Sequence, residues 1–169
     1  MKWIGITGSW RKTGEEVEKD VRAAVKEIIE RGDGIVTGGA LNVDWYATDE
    51  ALKLNPAATQ IKVCLPVTLE RYAAHYRKRA DEGVITHEQA ERLIEQLTKL
   101  KTGNSAALIE HPTNTVVDPT TYFERNTQVV ELSDEILGFQ VNDSGGVQDT
   151  VDKAHAQGKP VAVKKYVIE

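Results

Sequence analysis

Turns that are suited to phosphate binding occur at three places in the chain: Gly5-Ile-Thr-Gly8-Ser9, Thr37-Gly38-Gly39-Ala40 and Asp143-Ser144-Gly145-Gly146. Each turn follows a short apolar run and precedes a segment with helical periodicity. Glycine lets the backbone approach a ligand closely, and a helix that begins just beyond it directs unpaired N–H groups and the positive end of its dipole at the turn. Such turns favour anions, above all phosphate.

Polar and aromatic side chains near these turns could complete a nucleotide site. Arg125 can bind phosphate with both arms of its guanidinium, Trp10 can stack on a base, and Asp44 can accept a hydrogen bond from a ribose hydroxyl. Each also has a structural interpretation: Arg125 in a surface ion pair, Trp10 packed on its own loop, Asp44 as a helix N-cap. The predicted phosphate- and nucleotide-binding residues are Gly8, Ser9, Trp10, Arg11, Gly38, Gly39, Asn42, Asp44, Arg125, Asn126, Ser144, Gly145, Gly146, Val147 and Thr150.

Residues for covalent chemistry are harder to find. The chain has no nucleophile with an evident base, and the candidates for assisting bond cleavage are the carboxylates of Asp44 and Asp152. The four histidines, His75, His87, His111 and His155, are scattered without the spacing of metal ligands, so we predict no metal site and no required cofactor beyond a nucleotide ligand.

Length and composition narrow the class of protein. The 169 residues, 40% of them hydrophobic, predict a single domain over residues 1–169. A formal net charge of −5 argues against a surface that coats nucleic acid. The single cysteine, Cys64, lies in an apolar run and predicts a buried strand residue. No apolar stretch approaches the length of a membrane span, and we expect a soluble cytoplasmic protein that forms a homo-oligomer and does not contact membranes.

Apolar runs alternate with helical patterns along the chain, which predicts an α/β fold of the Rossmann-like, three-layer type with about five parallel strands in the order 3-2-1-4-5. Ligands of such sheets bind at the carboxyl ends of the strands, beside the point where the chain reverses direction. Two sequences, Thr13-Gly-Glu-Glu16 and Thr86-His-Glu-Gln89, predict capping boxes. The predicted strands are Lys2–Thr7, Gly34–Thr37, Ile61–Leu65, Glu135–Val141 and Pro160–Val167.

An insertion of residues 69–121 interrupts the alternation after the third strand. It predicts two helices, Leu69–Glu82 and Thr86–Lys101, followed by a polar loop. The first of them carries the one basic and aromatic cluster of the chain, Arg71–Arg79. Such a run is typical of a solvated helix face; the alternative is contact with nucleic-acid phosphates or with an acidic partner.

The motifs after the strands resemble those of the SLOG superfamily, Rossmann-like proteins that include DNA-processing protein A (Smf), the Lonely Guy phosphoribohydrolases and molybdenum-cofactor carriers. The resemblance rests on Gly8-Ser9, Thr37-Gly-Gly-Ala-Leu-Asn-Val-Asp44, Phe123-Glu-Arg-Asn126 and Ser144-Gly-Gly-Val-Gln-Asp-Thr150. It implies nucleotide binding at the turns. The DNA-processing branch carries an arginine where this chain has Trp10, and the Lonely Guy signature has a glutamate where this chain has Asp152.

Three functions are therefore compared. The first is binding of a small phosphorylated nucleoside or nucleotide, as a sensor or carrier without chemistry of its own. The second is N-glycosidic bond cleavage of the phosphoribohydrolase or deoxyribosyltransferase type. The third is binding of single-stranded DNA. The negative net charge and the missing arginine both argue against it.

Overall fold

The structure is a computed structural model that describes residues 1–169. The chain forms six strands and six helices, which alternate except where α3 is followed directly by α4, and a single 3-10 turn covers Ser105–Ala107. The strands are β1 (Trp3–Gly8), β2 (Gly34–Thr37), β3 (Ile61–Cys64), β4 (Leu108–Ile109), β5 (Glu135–Val141) and β6 (Val161–Tyr166). The helices are α1 (Glu15–Glu30), α2 (Val43–Leu54), α3 (Leu69–Asp81), α4 (His87–Gly103), α5 (Pro119–Leu132) and α6 (Gly145–Ala156).

All six strands form one parallel sheet in the order β4-β3-β2-β1-β5-β6. The predicted Rossmann-like α/β class is confirmed, and the five predicted strands keep their predicted order. The strand count differs because the insertion contributes β4, which pairs with β3 at the edge of the sheet. Two residues are too short to show a periodic pattern, so the sequence gives no signal for this strand.

Helices cover both faces of the sheet. The main core joins apolar side chains of α1, α2, α3 and α4 to one face, with Val21, Ala47, Tyr72 and Leu97 fully or almost fully buried among them. The opposite face carries α5 and α6, whose Val129, Val130 and Ala154 pack on β2, β3 and β5. Because both faces are covered at the centre of the sheet, β2 is buried at every residue, whereas β6 at the edge is mostly exposed or half-buried.

Of the two capping boxes predicted from the sequence, the structure contains one. Thr86 caps α4 with the predicted capping box, its side chain accepting from the Gln89 amide and the Gln89 side chain accepting from the Thr86 amide. The predicted capping box of α1 is wrong: Gly14 is the N-cap, and the hydroxyl of Thr13 is buried without a hydrogen-bond partner. The helix begins one residue later than a Thr13 cap requires.

Two features of the interior bear on chemistry. Cys64 is fully buried in β3, and burial raises the pKa of its thiol to about 12, so it is not a nucleophile at neutral pH. Among the helices, none combines the length and apolarity that crossing a bilayer requires.

A candidate phosphate-binding crevice

The three glycine turns meet in one crevice at the carboxyl ends of β1, β2 and β5. It lies where the order of the strands reverses, between β1 and β5, and it encloses about 50 Å³. Its walls are Ile6, Thr7, Gly8, Trp10, Gly38, Ala40, Asp44, Arg125, Asn126, Val129, Ser144, Gly146 and Thr150. Most residues predicted from the sequence as a nucleotide site therefore share one cavity.

The first glycine turn, at Gly8 and Ser9, is fixed by packing and by hydrogen bonds within the protein. A side chain at Gly8 would collide with Val43 at the start of α2, so only glycine allows this close approach of strand and helix. The hydroxyl of Ser9 is buried and accepts a hydrogen bond from the Val141 amide at 2.9 Å. This bond ties β1 to the end of β5, and it occupies a hydroxyl that the sequence predicts as a ligand contact.

The second turn is held by Asp44. The carboxylate oxygen Oδ2 accepts from the amides of Gly38 at 3.2 Å and Ala40 at 3.1 Å. Gly39, with a φ of 68°, needs the left-handed region that favours glycine. Because Asp44 takes the amides on either side of Gly39, these N–H groups are not available to an anion in this conformation.

Asp44 is not the N-cap of α2, as its structural interpretation required. Asn42 holds that position, with a φ of 63°, and its side chain donates to the Trp10 carbonyl. Asp44 lies in the first turn of the helix and is only 6% exposed. Its second oxygen, Oδ1, is buried without a partner. Burial raises the pKa of this carboxyl, against the opposing effects of Arg125 and the two amides.

The third turn leaves its backbone donors open. The first internal hydrogen bond of α6 runs from the Gln148 amide to the Ser144 carbonyl, so the amides of Gly145, Gly146 and Val147 have no partner in the protein. A side chain at Gly145 or Gly146 would meet no atom within 4 Å. The fold itself therefore does not require glycine at these two positions, and Gly146 lines the crevice.

Arg125 lies between the second and third turns. Its Nη1 donates to the Gly38 carbonyl at 2.6 Å, and its Nε donates to Asn126 Oδ1 at 3.2 Å. Asn126 is buried and is itself fixed by Asp149, to which it donates at 3.0 Å. The Nη2 group of Arg125 has no hydrogen-bond partner in the protein, and it remains a donor for a ligand in the crevice.

A tyrosine cluster that sequence reasoning missed supports the second turn. Tyr72 of α3 donates to the Gly39 carbonyl at 2.9 Å and lies 3.3 Å from the hydroxyl of Tyr76. The Arg125 guanidinium lies 5.0 Å above the ring of Tyr122. Burial raises the pKa of Tyr72 and Tyr76, so both stay neutral hydrogen-bond donors. The sequence carries no signal that these tyrosines contact the second turn, because the contact arises from how the insertion packs on the sheet.

Other predicted residues lie at the edge of the site or outside it. Trp10 is 40% exposed at the crevice wall, with the Arg11 guanidinium 5.2 Å from its ring. Asp152 is exposed on α6, accepts from Gln148 and does not line the crevice, so the two carboxylates proposed for bond cleavage do not meet. Thr150 lines the crevice and bonds back to the Gly146 carbonyl, whereas the side chain of Val147 is in the core. No group of three or more His, Cys, Asp or Glu side chains is arranged to hold a metal ion.

Comparison with solved structures gives the same architecture. DNA processing protein A from Helicobacter pylori, which binds single-stranded DNA, superposes with a TM-score of 0.69 at 20% identity, over 96% of this chain and 64% of that one. DNA processing protein A from Streptococcus pneumoniae superposes with a TM-score of 0.52 at 13% identity, over 95% of this chain and 58% of that one. The structural-genomics target TM1055 gives a TM-score of 0.57 at 13% identity, over 95% and 72%.

These likenesses bear on the fold, since all three identities are low. The chain spans 64% of the length of the Helicobacter protein and 58% of that of the Streptococcus protein. A search of curated protein sequences returns no match. The profile of one family, DNA recombination-mediator protein A, matches residues 1–168, and the chain therefore belongs to the DNA recombination-mediator protein A family.

Proposed function

We propose that the crevice binds a backbone phosphate of single-stranded DNA, with the amides of Gly145 and Gly146 and the guanidinium of Arg125 as donors. The observation that carries this proposal is the unpaired first turn of α6, which points open amides and a helix dipole at the same cavity as an unpaired arginine nitrogen. Membership of the family and the single-stranded DNA binding of the Helicobacter relative support it.

The size of the crevice favours a strand over an enclosed small ligand. Pockets that enclose a whole small molecule usually measure roughly 300–1,000 Å³. At about 50 Å³ this crevice has room for one phosphate group, and the attached sugars and bases must lie across its mouth. A phosphodiester with free chain on both sides fits this shape, whereas most of a mononucleotide would stay in solvent.

Arg125 also answers the objection from the missing arginine. The DNA-processing motif has an arginine after Gly-Ser, and this chain has Trp10 there. Arg125 of α5, which belongs to the motif shared with the family, still supplies a cation to the crevice. Trp10, 40% exposed, then offers a face on which a base can stack, a contact worth about 1–3 kcal/mol per base in single-strand binding proteins.

Replacement of Gly146 by aspartate tests the site. A Cβ at position 146 would meet no atom within 4 Å, and a carboxylate in the first turn of α6 suits the helix dipole, so we expect Gly146→Asp to fold. The new charge repels phosphate, and we expect affinity for a fluorescent oligothymidylate, measured by anisotropy at low salt, to fall at least about tenfold. This loss corresponds to roughly 1.4 kcal/mol.

The matched control adds the same charge elsewhere. Ala23 is exposed on α1, away from the crevice, so Ala23→Asp changes the net charge equally and should leave the affinity within about twofold. Equal effects of the two substitutions would mean that only net charge matters, and the crevice would then not be the binding site.

A second candidate, a small ribonucleotide, is favoured by one observation. Asp44 Oδ1 is a buried acceptor without a partner at the wall of the crevice, and burying such a group without a hydrogen bond costs roughly 1–3 kcal/mol. A ribose hydroxyl could donate to it. If this candidate is correct, calorimetry will show that a ribonucleoside monophosphate binds more tightly than its 2′-deoxy counterpart. The substitution Asp44→Ala should remove this difference in affinity. Equal affinities would exclude it.

A further inference from the structure

A basic groove lies between α3 and the loop that leads into α5. Its volume is about 430 Å³, and its walls are Arg71, Ala74, His75, Lys78, Arg79, Glu82, Thr115, Val116 and Val117. Three of these residues are cationic and only Glu82 is anionic, in a protein whose net charge is −5. The spacing of Arg71, His75, Lys78 and Glu82 puts them on one stripe of the helix.

The basic residues on α3 differ in whether they already form ion pairs with acidic residues. Arg77, on another side of α3, donates to Glu91 of α4 at 2.9 Å and does not line the groove. Lys78 forms no ion pair and is exposed. Arg79 lies 3.6 Å from Glu82, with both side chains nearly half exposed. A pair this exposed is weak, so Arg79 can exchange it for a phosphate.

Arg71 fixes the opposite wall of the groove. Its Nη1 donates to the carbonyls of Asn114 at 3.0 Å and Pro112 at 3.4 Å. These acceptors are neutral, so the positive charge of Arg71 is not cancelled. The Asn114 side chain donates in turn to the Pro66 carbonyl at 2.9 Å, which anchors the loop to the end of β3. Hydrogen bonds therefore hold both walls of the groove, α3 and the loop before α5, in place.

Tyr122 connects the groove to the crevice. Its ring lies under the Arg125 guanidinium, whose carbon is 5.0 Å from the ring centre, and its hydroxyl lies 3.5 Å from Nε2 of His75 in the wall of the groove. Tyr122, half-buried, thus joins two cationic sites, and the exposed aromatic face beside them is Trp10 at the wall of the crevice. Alternating positive charge and aromatic faces are what single-stranded nucleic acids bind.

We infer that the groove between α3 and the 112–118 loop is a second binding site for the same single strand, with Lys78, Arg79 and Arg71 contacting the phosphates next to the one held in the crevice. This inference rests on the proposed function of the crevice. It assigns a role to the insertion: the helix that supports the second glycine turn through Tyr72 also extends the path of the strand.

The first test removes one charge. Lys78→Gln should weaken binding of an oligothymidylate of about 16 nucleotides and make the slope of log affinity against log salt less negative by about 0.7, the contribution of one phosphate contact to a single strand. Lys165→Gln is the matched control, because Lys165 is also exposed and without an ion pair but lies on β6, at the far edge of the sheet. The control should change neither quantity.

The second test predicts a gain, which a variant that merely unfolds cannot give. Glu82→Gln removes the competitor of Arg79 and should strengthen oligothymidylate binding about two- to fivefold at low salt, the range that a surface ion pair is worth. Glu30→Gln breaks a comparable pair, with Lys26 on α1, and should leave binding unchanged. Neither substitution alters a buried group.

A thymidine trinucleotide separates the groove from the crevice. We expect Gly146→Asp to weaken binding of the trinucleotide and of the long strand, and Lys78→Gln to weaken only the long strand. If Gly146→Asp acts and Lys78→Gln matches Lys165→Gln, the groove inference is overturned and the crevice stands. If only Lys78→Gln acts, the groove binds the strand alone, and both the proposed function of the crevice and the continuous path are wrong.

Discussion

Asp44 and Arg125 bind the two backbone polar groups of one residue, Gly38. Gly38 donates its amide to the Asp44 carboxylate and accepts from the Arg125 guanidinium with its carbonyl. The two charged side chains are not in direct contact as an ion pair; the Gly38 backbone lies between them. An anion that approaches Arg125 therefore meets a turn whose geometry is already set, which lowers the cost of ordering the site on binding.

The buried Asp44 carboxyl should leave a mark on the pH dependence of stability. Its pKa is raised by burial, so the folded protein holds this proton more tightly than the unfolded chain does. The stability from this group is complete below the ordinary aspartate pKa of about 3.9 and is lost as the pH rises through the folded-state value. In Asp44→Asn the amide oxygen can still accept from Gly38 and Ala40, but the proton equilibrium is absent.

The measurement is the melting temperature of both proteins as a function of pH. We expect the Tm of Asp44→Asn, relative to the unmodified protein, to rise as the pH increases upward from about 3.9, because only the unmodified protein must bury a charge. All other titrating groups are shared by the two proteins and cancel in the difference. A difference that stays constant, or that falls with pH, would show that the Asp44 carboxylate is stabilised rather than penalised by its site.

At the scale of elements, equal sequence signatures have unequal structural roles. Thr86 and Thr13 both precede an acidic or amide residue by three positions at the start of a helix. Only Thr86 makes the reciprocal bonds of a capping box, while the Thr13 hydroxyl is buried without a partner. The difference lies in where each helix begins: Thr86 is the N-cap of α4, whereas α1 has Gly14 as its N-cap, one residue after Thr13.

Two alanine substitutions measure this difference. Thr86→Ala removes the acceptor of the Gln89 amide and should lower the free energy of unfolding by about 1 kcal/mol. Thr13→Ala removes a hydroxyl that has no partner, and it should be neutral or slightly stabilising. Urea unfolding followed by circular dichroism compares the two. Equal losses would mean that Thr13 does cap α1 in solution.

Across the whole molecule, the negative net charge conceals a local positive path. Many of the basic side chains are neutralised nearby: Arg22 contacts Glu18, Asp49 and Glu50, and Lys164 contacts Asp20. The groove and the crevice keep cations without full partners. A polyanion can therefore bind in one place to a protein that repels it elsewhere.

Salt dependence tests this distribution. With Arg125, Arg71, Lys78 and Arg79 as the cations that contact phosphate, the slope of log affinity against log salt should be about −2 to −3 for a single strand. It is measured by anisotropy titrations at several salt concentrations. A much steeper slope would require a binding surface larger than this path, and a slope near zero would exclude phosphate contacts altogether.

The expected homo-oligomer stays a prediction that sedimentation of the same samples can test.

The sequence by itself determined the layers of the fold and the place of the crevice. The run Gly34–Thr37 carries no charge because strands buried on both faces must be largely apolar, and the glycines at 8 and 39 mark backbone that disfavours any larger residue. These are local requirements, and local patterns record them. For the same reason the sequence was enough to place Cys64 in a strand and to cap α4 at Thr86.

Only the tertiary structure decided which donors are left for a ligand. Whether an amide is unpaired depends on its spatial neighbours: Asp44 takes the amides of the second turn, and nothing takes those of Gly145 and Gly146. The basic run on α3 reads as an ordinary solvated face until Tyr122 joins it to Arg125 across about fifty residues of chain. Contacts between distant segments have no local pattern, because they arise from packing, and here they supply the geometry that, together with the family match, supports the single-strand proposal.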